Sequence, residues 1–274
     1  MKITLITLLA LVAFAANSVL ARAALADGAI DAAAFTAIRI ASGAVVLALL
    51  LALRQKNAIR FGNWPAALAL LLYAAAFSFA YLSLDAGLGA LILFGAVQIT
   101  MFTGGIIEGE RPQLGRWLGM GLGLVGLAVL FVPGAATPSA IGSALMLAAG
   151  VGWGIYSLLG RHTKQPLAAT AGNFLRAAPL GLLIWALVGG GANAPGIALA
   201  VASGALASGL GYAIWYYALP KLDASLAAIA QLCVPIIALG GGIIWLAESP
   251  TPTFMLASAL ILGGIGLAVY SRAK

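Results

Sequence analysis

Ten apolar stretches, each near the length that carries a helix across a bilayer, follow one another with hardly any chain between them. They run approximately over 3–20, 32–53, 64–83, 86–107, 113–132, 138–159, 167–189, 195–219, 222–246 and 252–271. A hydrocarbon core of ~30 Å is crossed by ~20 helical residues, and it holds no water to satisfy a bare backbone. The expectation is an all-α membrane protein of ten transmembrane helices. Composition excludes a water-soluble domain: 63% of residues are hydrophobic, 8% are charged and the mean hydropathy is +1.10, which leaves too little polar surface for one. The first stretch, with Lys2 before it and Ala21 and Ala23 after it, has the outline of a signal peptide. Asn17 and Ser18 inside it, and a counterpart in the second half, favour a retained helix.

The second constraint is an internal repeat. Leu84-Asp85-Ala86 recurs as Leu222-Asp223-Ala224, Gly104 as Gly242, and Glu110 and Pro112 as Glu248 and Pro250, all at one offset. Two units of five helices follow, 1–136 and 137–274, within one integral membrane domain. Turn residues stand where helix ends should be, at Trp64-Pro65, Arg111-Pro112, Pro133-Gly134, Gln165-Pro166 and Ser249-Pro250. On the side shared by both termini lie Lys2, Arg54, Lys56, Arg60, Arg111, Arg116, Arg161, Lys164, Lys221, Arg272 and Lys274, against Arg22 alone on the other. The positive side is cytoplasmic, so both termini are expected there. An odd number of spans per unit makes the two units insert in opposite senses around a central cavity.

Polar and aromatic residues recur at helical spacing. Phe14, Asn17 and Ser18 in the first helix match Trp153, Tyr156 and Ser157 in the sixth at i, i+3 and i+4. Tyr73, Phe77 and Tyr81, with Ser78 beside them, mark the third helix; Tyr212, Trp215 and Tyr216 mark the eighth. Aromatics can belt the membrane surfaces, but faces drawn from repeat-related helices suit the wall of a cavity for a flat solute. Gln98, with Met101 near it, and Gln231, one turn before Pro235, are mid-span groups expected to point inward, as ligand contacts or as interhelical hydrogen bonds. Arg39 and Arg176 are charges inside apolar runs. They could hold a substrate carboxylate, or serve structurally by snorkelling or bonding a loop. Asp85 and Asp223 precede their helices like N-caps, and Glu110 and Glu248 close the same helices. Glycines 115, 119, 121, 123 and 126 of the fifth helix and 263, 264 and 266 of the tenth suit close packing, within the chain or across a dimer.

An Arg in the second helix of each unit (Arg39, Arg176), an Asp-Ala-Gly or Asp-Ala-Ser entry to the fourth, and Glu110 and Glu248 at its end resemble the EamA-type members of the drug/metabolite transporter (DMT) superfamily. The aromatic residues are most similar to those of the YddG-type aromatic amino-acid exporters. The resemblance implies a ten-helix inner-membrane protein with a central cavity from which the fifth and tenth helices stand apart.

Several classes are excluded or disfavoured. The single His162 lies in a basic loop and no acid lies mid-span, so neither an enzyme, a metal or other cofactor site nor a pump built on a buried carboxylate is expected. The single Cys233 rules out an intrachain disulfide. The net charge of +7 comes from scattered residues that form no nucleic-acid patch. The expected function is secondary transport. Small amphipathic metabolites, above all aromatic or large neutral amino acids, would be exported by alternating access with little or no ion coupling. A drug or purine-metabolite exporter and a non-transporting membrane binding or scaffold subunit are the alternatives. The expected partners are an amino-acid-like solute and the lipid bilayer of the bacterial inner membrane, with a monomer or weak homodimer as the assembly.

Overall fold

A computed structural model describes residues 2–53, 61–109, 111–130, 138–160, 163–218 and 233–270. Among them the regular structure is helical, apart from a single bridge between Ile30 and Ala192 that joins two connections. The helices are α1 (Lys2–Leu25), α2 (Ala32–Ala52), α3 (Trp64–Ala80), α4 (Ala86–Ile107), α5 (Leu114–Leu130), α6 (Ala140–Gly160) and α7 (Pro166–Val188). Next comes α8, whose three consecutive stretches are Ala194–Val201, a π-helical Ala202–Leu210 and Gly211–Ala218. Then follow α9 (Cys233–Leu246) and α10 (Pro252–Tyr270). Six of these helices are long and apolar enough to cross a membrane; α3, α5, α9 and α10 offer shorter apolar stretches. Glu110, Asp223, Gln231 and His162 lie outside the described residues, as does the side chain of Tyr216.

The helix starts have local causes. Asn63 accepts from Ala66 N and is followed by Pro65, whose missing N–H costs nothing in a first turn; Asn193 accepts from Gly196 N ahead of Pro195. Asp85 departs from expectation. It stands at the N-cap position of α4, yet its carboxylate caps nothing; the Ala86 N–H donates to Glu248 Oε1 at 2.7 Å, and Asp85 lies 3.5 Å from Arg22 instead. A carboxylate from the other half of the chain has taken the helix end.

Close helix contacts are made through glycine. On α6, a Cβ at Gly150 would meet Leu93 and Ala96 of α4, one at Gly152 would meet Ala69 and Tyr73 of α3, and one at Gly154 would meet Thr100. These three glycines seat α6 in the groove between α3 and α4 and deliver Trp153, which stands among them, to the interior. The π-helical stretch of α8 lies against α2 in the same way, with Gly204 directly over the Arg39 carbonyl and Ser42. α5 and α10 pack on each other, Gly126 against Ala257, Leu260 and Ile261, and Gly264 against Gly119 and Gly123. Intrachain packing therefore accounts for Gly126 and Gly264, whereas Gly121, Gly123 and Gly266 would each carry a Cβ into open space. The outer surface is apolar, with Leu5, Leu49, Leu118, Leu183, Ile244 and Met255 all exposed, as a lipid-facing surface requires.

Candidate functional site

A partly open, narrow cavity lies among α1, α3, α4, α6 and α8, about 390 Å³ when the open space in front of it is included. Phe14, Asn17 and Ser18 of α1 all line it, which is the whole expected face of that helix. Tyr73 and Phe77 come from α3, Trp153 from α6 and Tyr212 from α8. The lining is completed by Leu93 and Phe94 of α4 and Ala207 of the π-helical stretch.

The rings form one connected wall. Trp153 is its hub, with its centroid 5.0 Å from Tyr73, 5.2 Å from Tyr212 and 5.5 Å from Tyr156. Phe14 meets Tyr212 edge-on at 5.7 Å, and Tyr73 lies 5.4 Å from Phe77. Each such pair contributes about 0.5–1.5 kcal/mol beyond the area it buries. A second layer stands behind the first. Trp215 packs edge-on to Phe14, Phe174 to Tyr212, and the fully buried Tyr81 to Phe77 at 4.7 Å, while the Tyr81 hydroxyl donates to the Ala86 carbonyl. Trp215 and Tyr81 thus support the wall without lining it.

The polar edge is built on Tyr73. Its hydroxyl oxygen accepts from Arg39 Nη2 at 2.8 Å and from Asn17 Nδ2 at 3.2 Å. Asn17 in turn accepts from Ser203 Oγ, and Arg39 Nε reaches Ser208 Oγ at 3.4 Å. Arg39 is 2% exposed, with its guanidinium carbon 5.0 Å from the Tyr73 centroid and 4.6 Å from that of Phe77. This network joins α1, α2, α3 and α8 behind the cavity.

The remaining expected residues fall elsewhere. Tyr156 is buried, donates to Thr170 at 3.1 Å and lines a separate hollow with Asn63 and Asn173. Ser78 is fully buried and bonds back to the Ala74 carbonyl of its own helix, the usual way for a span to satisfy a hydroxyl. Gln98 and Met101 are half-buried on α4, beyond the Leu93 and Phe94 contacts. Arg176 donates to the Phe61 and Gly172 carbonyls at 2.6 and 2.9 Å and so ties α7 to the α2–α3 connection. Residues the sequence reading missed are Leu93, Phe94 and Ala207 in the lining, and Ser203, Ser208 and Thr170 behind it. Phe94, an aromatic one turn before Gln98, carried a readable signal; Leu93 and Ala207 are indistinguishable from packing residues in an apolar span.

Known proteins resemble this chain along its whole length. The model of the EamA-like transporter family matches twice, over residues 1–132 and 140–270. An uncharacterized protein of Pseudomonas aeruginosa is 51% identical over 271 residues, 98% of this chain and 94% of that one. A probable terminal-alkyne amino-acid exporter of Streptantibioticus cattleyicolor is 30% identical over 191 residues, 66% of this chain and 63% of its own length. An uncharacterized transporter of Archaeoglobus fulgidus is 26% identical over 251 residues, 87% of this chain and 89% of its own. A solved crystal structure superposes with a TM-score of 0.71 at 21% identity, covering 100% of this chain and 99% of that one, which is a likeness of fold. With a family match in each half and apolar helices throughout, the chain belongs to the EamA-like transporter family of the drug/metabolite transporter superfamily and is a multi-pass membrane protein.

Proposed function

We propose that the protein is a ten-span, inverted-repeat secondary transporter that exports aromatic or large neutral amino acids by alternating access, with little or no ion coupling. The observation that carries this reading is the cavity walled by Phe14, Tyr73, Phe77, Trp153 and Tyr212, with Asn17 and Ser18 at its polar edge. The rings touch one another and form a continuous apolar wall, against whose exposed faces a flat side chain can stack, while amide and hydroxyl groups orient its polar end. The amino-acid exporter among the relatives supports this solute class over drugs or purine metabolites. The two family matches support two units, which we place at 1–136 and 137–274. Five spans in each would invert one relative to the other, and the lysines and arginines on the side of both termini would put them on the cytoplasmic side of a bacterial inner membrane. Gln98 and Met101 would extend the pathway along α4 beyond Phe94, and Tyr216 and Gln231 would face it from the second half.

The test is uptake into proteoliposomes of labelled phenylalanine and tryptophan, with threonine as comparator, with and without a proton gradient. Saturable aromatic uptake indifferent to the gradient is expected, and Trp153→Ala should lower it at least about tenfold, since Trp153 lines the cavity and touches the Tyr73 and Tyr212 rings of its wall. Folded protein that moves none of the three amino acids would end this reading.

A further inference from the structure

Arg39 is a cation that meets no counter-ion among the described residues. It lies eight residues into α2, is 2% exposed, and among the described residues no carboxylate comes within ion-pair distance of it. Its partners are two hydroxyls and two ring faces, all neutral, and its Nη1 is buried with no hydrogen-bond partner. Hydroxyls and rings soften the cost of burying a guanidinium but leave its full charge standing. Arg22 shows the contrast, with Asp85 at 3.5 Å and Glu248 at 4.0 Å.

The hydroxyl in front of Arg39 has one valence left. A phenol oxygen offers two lone pairs and one proton. At Tyr73 the lone pairs are taken by Arg39 and by the Asn17 amide N–H, while the Asn17 oxygen accepts from Ser203. Among the described residues nothing accepts the Tyr73 proton. A guanidinium bonded to the oxygen draws electron density from the O–H and makes it a stronger donor, above all toward an anion. Tyr73 and Asn17 both line the cavity, so this polar edge belongs to the site.

We propose that the counter-ion of Arg39 is the substrate's own carboxylate, bound by the outstanding hydroxyl proton of Tyr73, so that the site selects aromatic carboxylates. The inference rests on the reading of the cavity as an aromatic amino-acid site. Tyr73 is the group that touches the substrate, and Arg39 acts through it as a positioning residue. An aromatic amine without a carboxylate would leave the donor unanswered and bring a second positive charge toward the first.

The experiment compares equilibrium binding of three probes to purified, folded protein, read by tryptophan fluorescence: phenylalanine, 3-phenylpropionate and phenethylamine. Phenylalanine and phenylpropionate should each bind at least about tenfold more tightly than phenethylamine, the worth of one charge-assisted hydrogen bond. Tyr73→Phe, which keeps the ring and its stacking, should bring phenylpropionate and phenethylamine to within about threefold of each other. A merely structural hydroxyl would weaken all three probes alike, so the ratio is the readout. Phenethylamine binding as tightly as phenylpropionate to the unaltered protein overturns the inference without any variant, and an unchanged ratio in folded Tyr73→Phe overturns it too. In both cases the aromatic reading survives, because aromatic ligands still bind. If none of the three binds, that reading falls and the inference falls with it.

Discussion

Arg39 and Arg176 occupy corresponding places in the second helix of each half, and their surroundings give them different work. Arg39 faces α3, where Tyr73 and Phe77 present two ring faces and a hydroxyl, and it becomes part of the polar edge of the cavity. Arg176 finds the Phe61 carbonyl at the end of the α2–α3 connection and the Gly172 carbonyl in its own helix, and it becomes a clamp. Arg176 thus bonds a loop, one of the two roles expected of these arginines, and the proposal above gives Arg39 a part in the other. The lesson is that a repeat fixes where a helix runs, while the neighbours a side chain meets fix what it does.

The sharpest way to break this comparison is to truncate both residues. Arg39→Ala should lower uptake of aromatic amino acids by about a hundredfold, because it removes the charge that orients and polarises the Tyr73 hydroxyl. Arg176→Ala should leave uptake within about threefold of the unaltered protein and lower its unfolding free energy by about 1–3 kcal/mol for two charged hydrogen bonds to carbonyls. Uptake kinetics and thermal unfolding on the same preparations separate the two outcomes. Equal loss of uptake in the two folded variants would mean that both arginines serve the substrate.

A smaller effect is expected one helix away. Asn17 and Tyr156 are repeat mates in α1 and α6, yet Asn17 lines the cavity and accepts from Ser203, whereas Tyr156 bonds Thr170 outside it. Asn17→Leu leaves the buried Ser203 hydroxyl without its acceptor and strips Tyr73 of one donor, so it should cost about 1–3 kcal/mol of stability and lower uptake as well. Tyr156→Phe should cost about 0.5–1.5 kcal/mol and leave uptake nearly unchanged. Should Tyr156→Phe prove the more damaging to transport, the cavity would have to extend past Trp153 into the hollow near Asn173.

The same contrasts mark what could be read before any coordinates. Apolar runs at 32–53 and 86–107 became α2 at Ala32–Ala52 and α4 at Ala86–Ile107 almost residue for residue, because hydrocarbon leaves the backbone no alternative. Phe14, Asn17 and Ser18 were legible because a straight helix keeps i, i+3 and i+4 on one face, and all three reach the cavity. That rule fails over Ala202–Leu210, where π-helical bonding runs i to i+5 and turns Ser203, Ala207 and Ser208 inward off the expected register. Trp215 and Tyr81 kept the right period but stand one layer too deep, a distinction that depends on the depth of neighbouring helices. The capping of α4 by Glu248 instead of Asp85 was illegible for another reason: it links residues 162 apart in the chain.

Glu248 tests the comparison on its other side, at the arginine that does have counter-ions. From the connection after α9 its carboxyl folds back over Gly242 of that helix, accepts from Ala86 N, and faces Arg22, Asp85 and the Tyr81 hydroxyl. Burial raises its pKa above the ordinary value of 4.5, against the lowering pull of the Ala86 N–H and of Arg22. The folded protein then holds this proton more tightly than the unfolded chain does. Burying the charged form costs stability above the raised pKa, and that cost is relieved as pH falls through it toward 4.5. Glu248→Gln can still accept from Ala86 N but cannot titrate. Relative to this variant, the unaltered protein should gain thermal stability as pH falls from neutral toward about 5, by a shift of a few degrees at most. Because Glu248 lies apart from the cavity lining, the variant should keep the carboxylate-to-amine binding ratio unchanged. The opposite slope, with stability lost on acidification only in the unaltered protein, would mean that attraction to Arg22 outweighs desolvation. Arg22 would then be a strongly paired cation, and the contrast with Arg39 would sharpen.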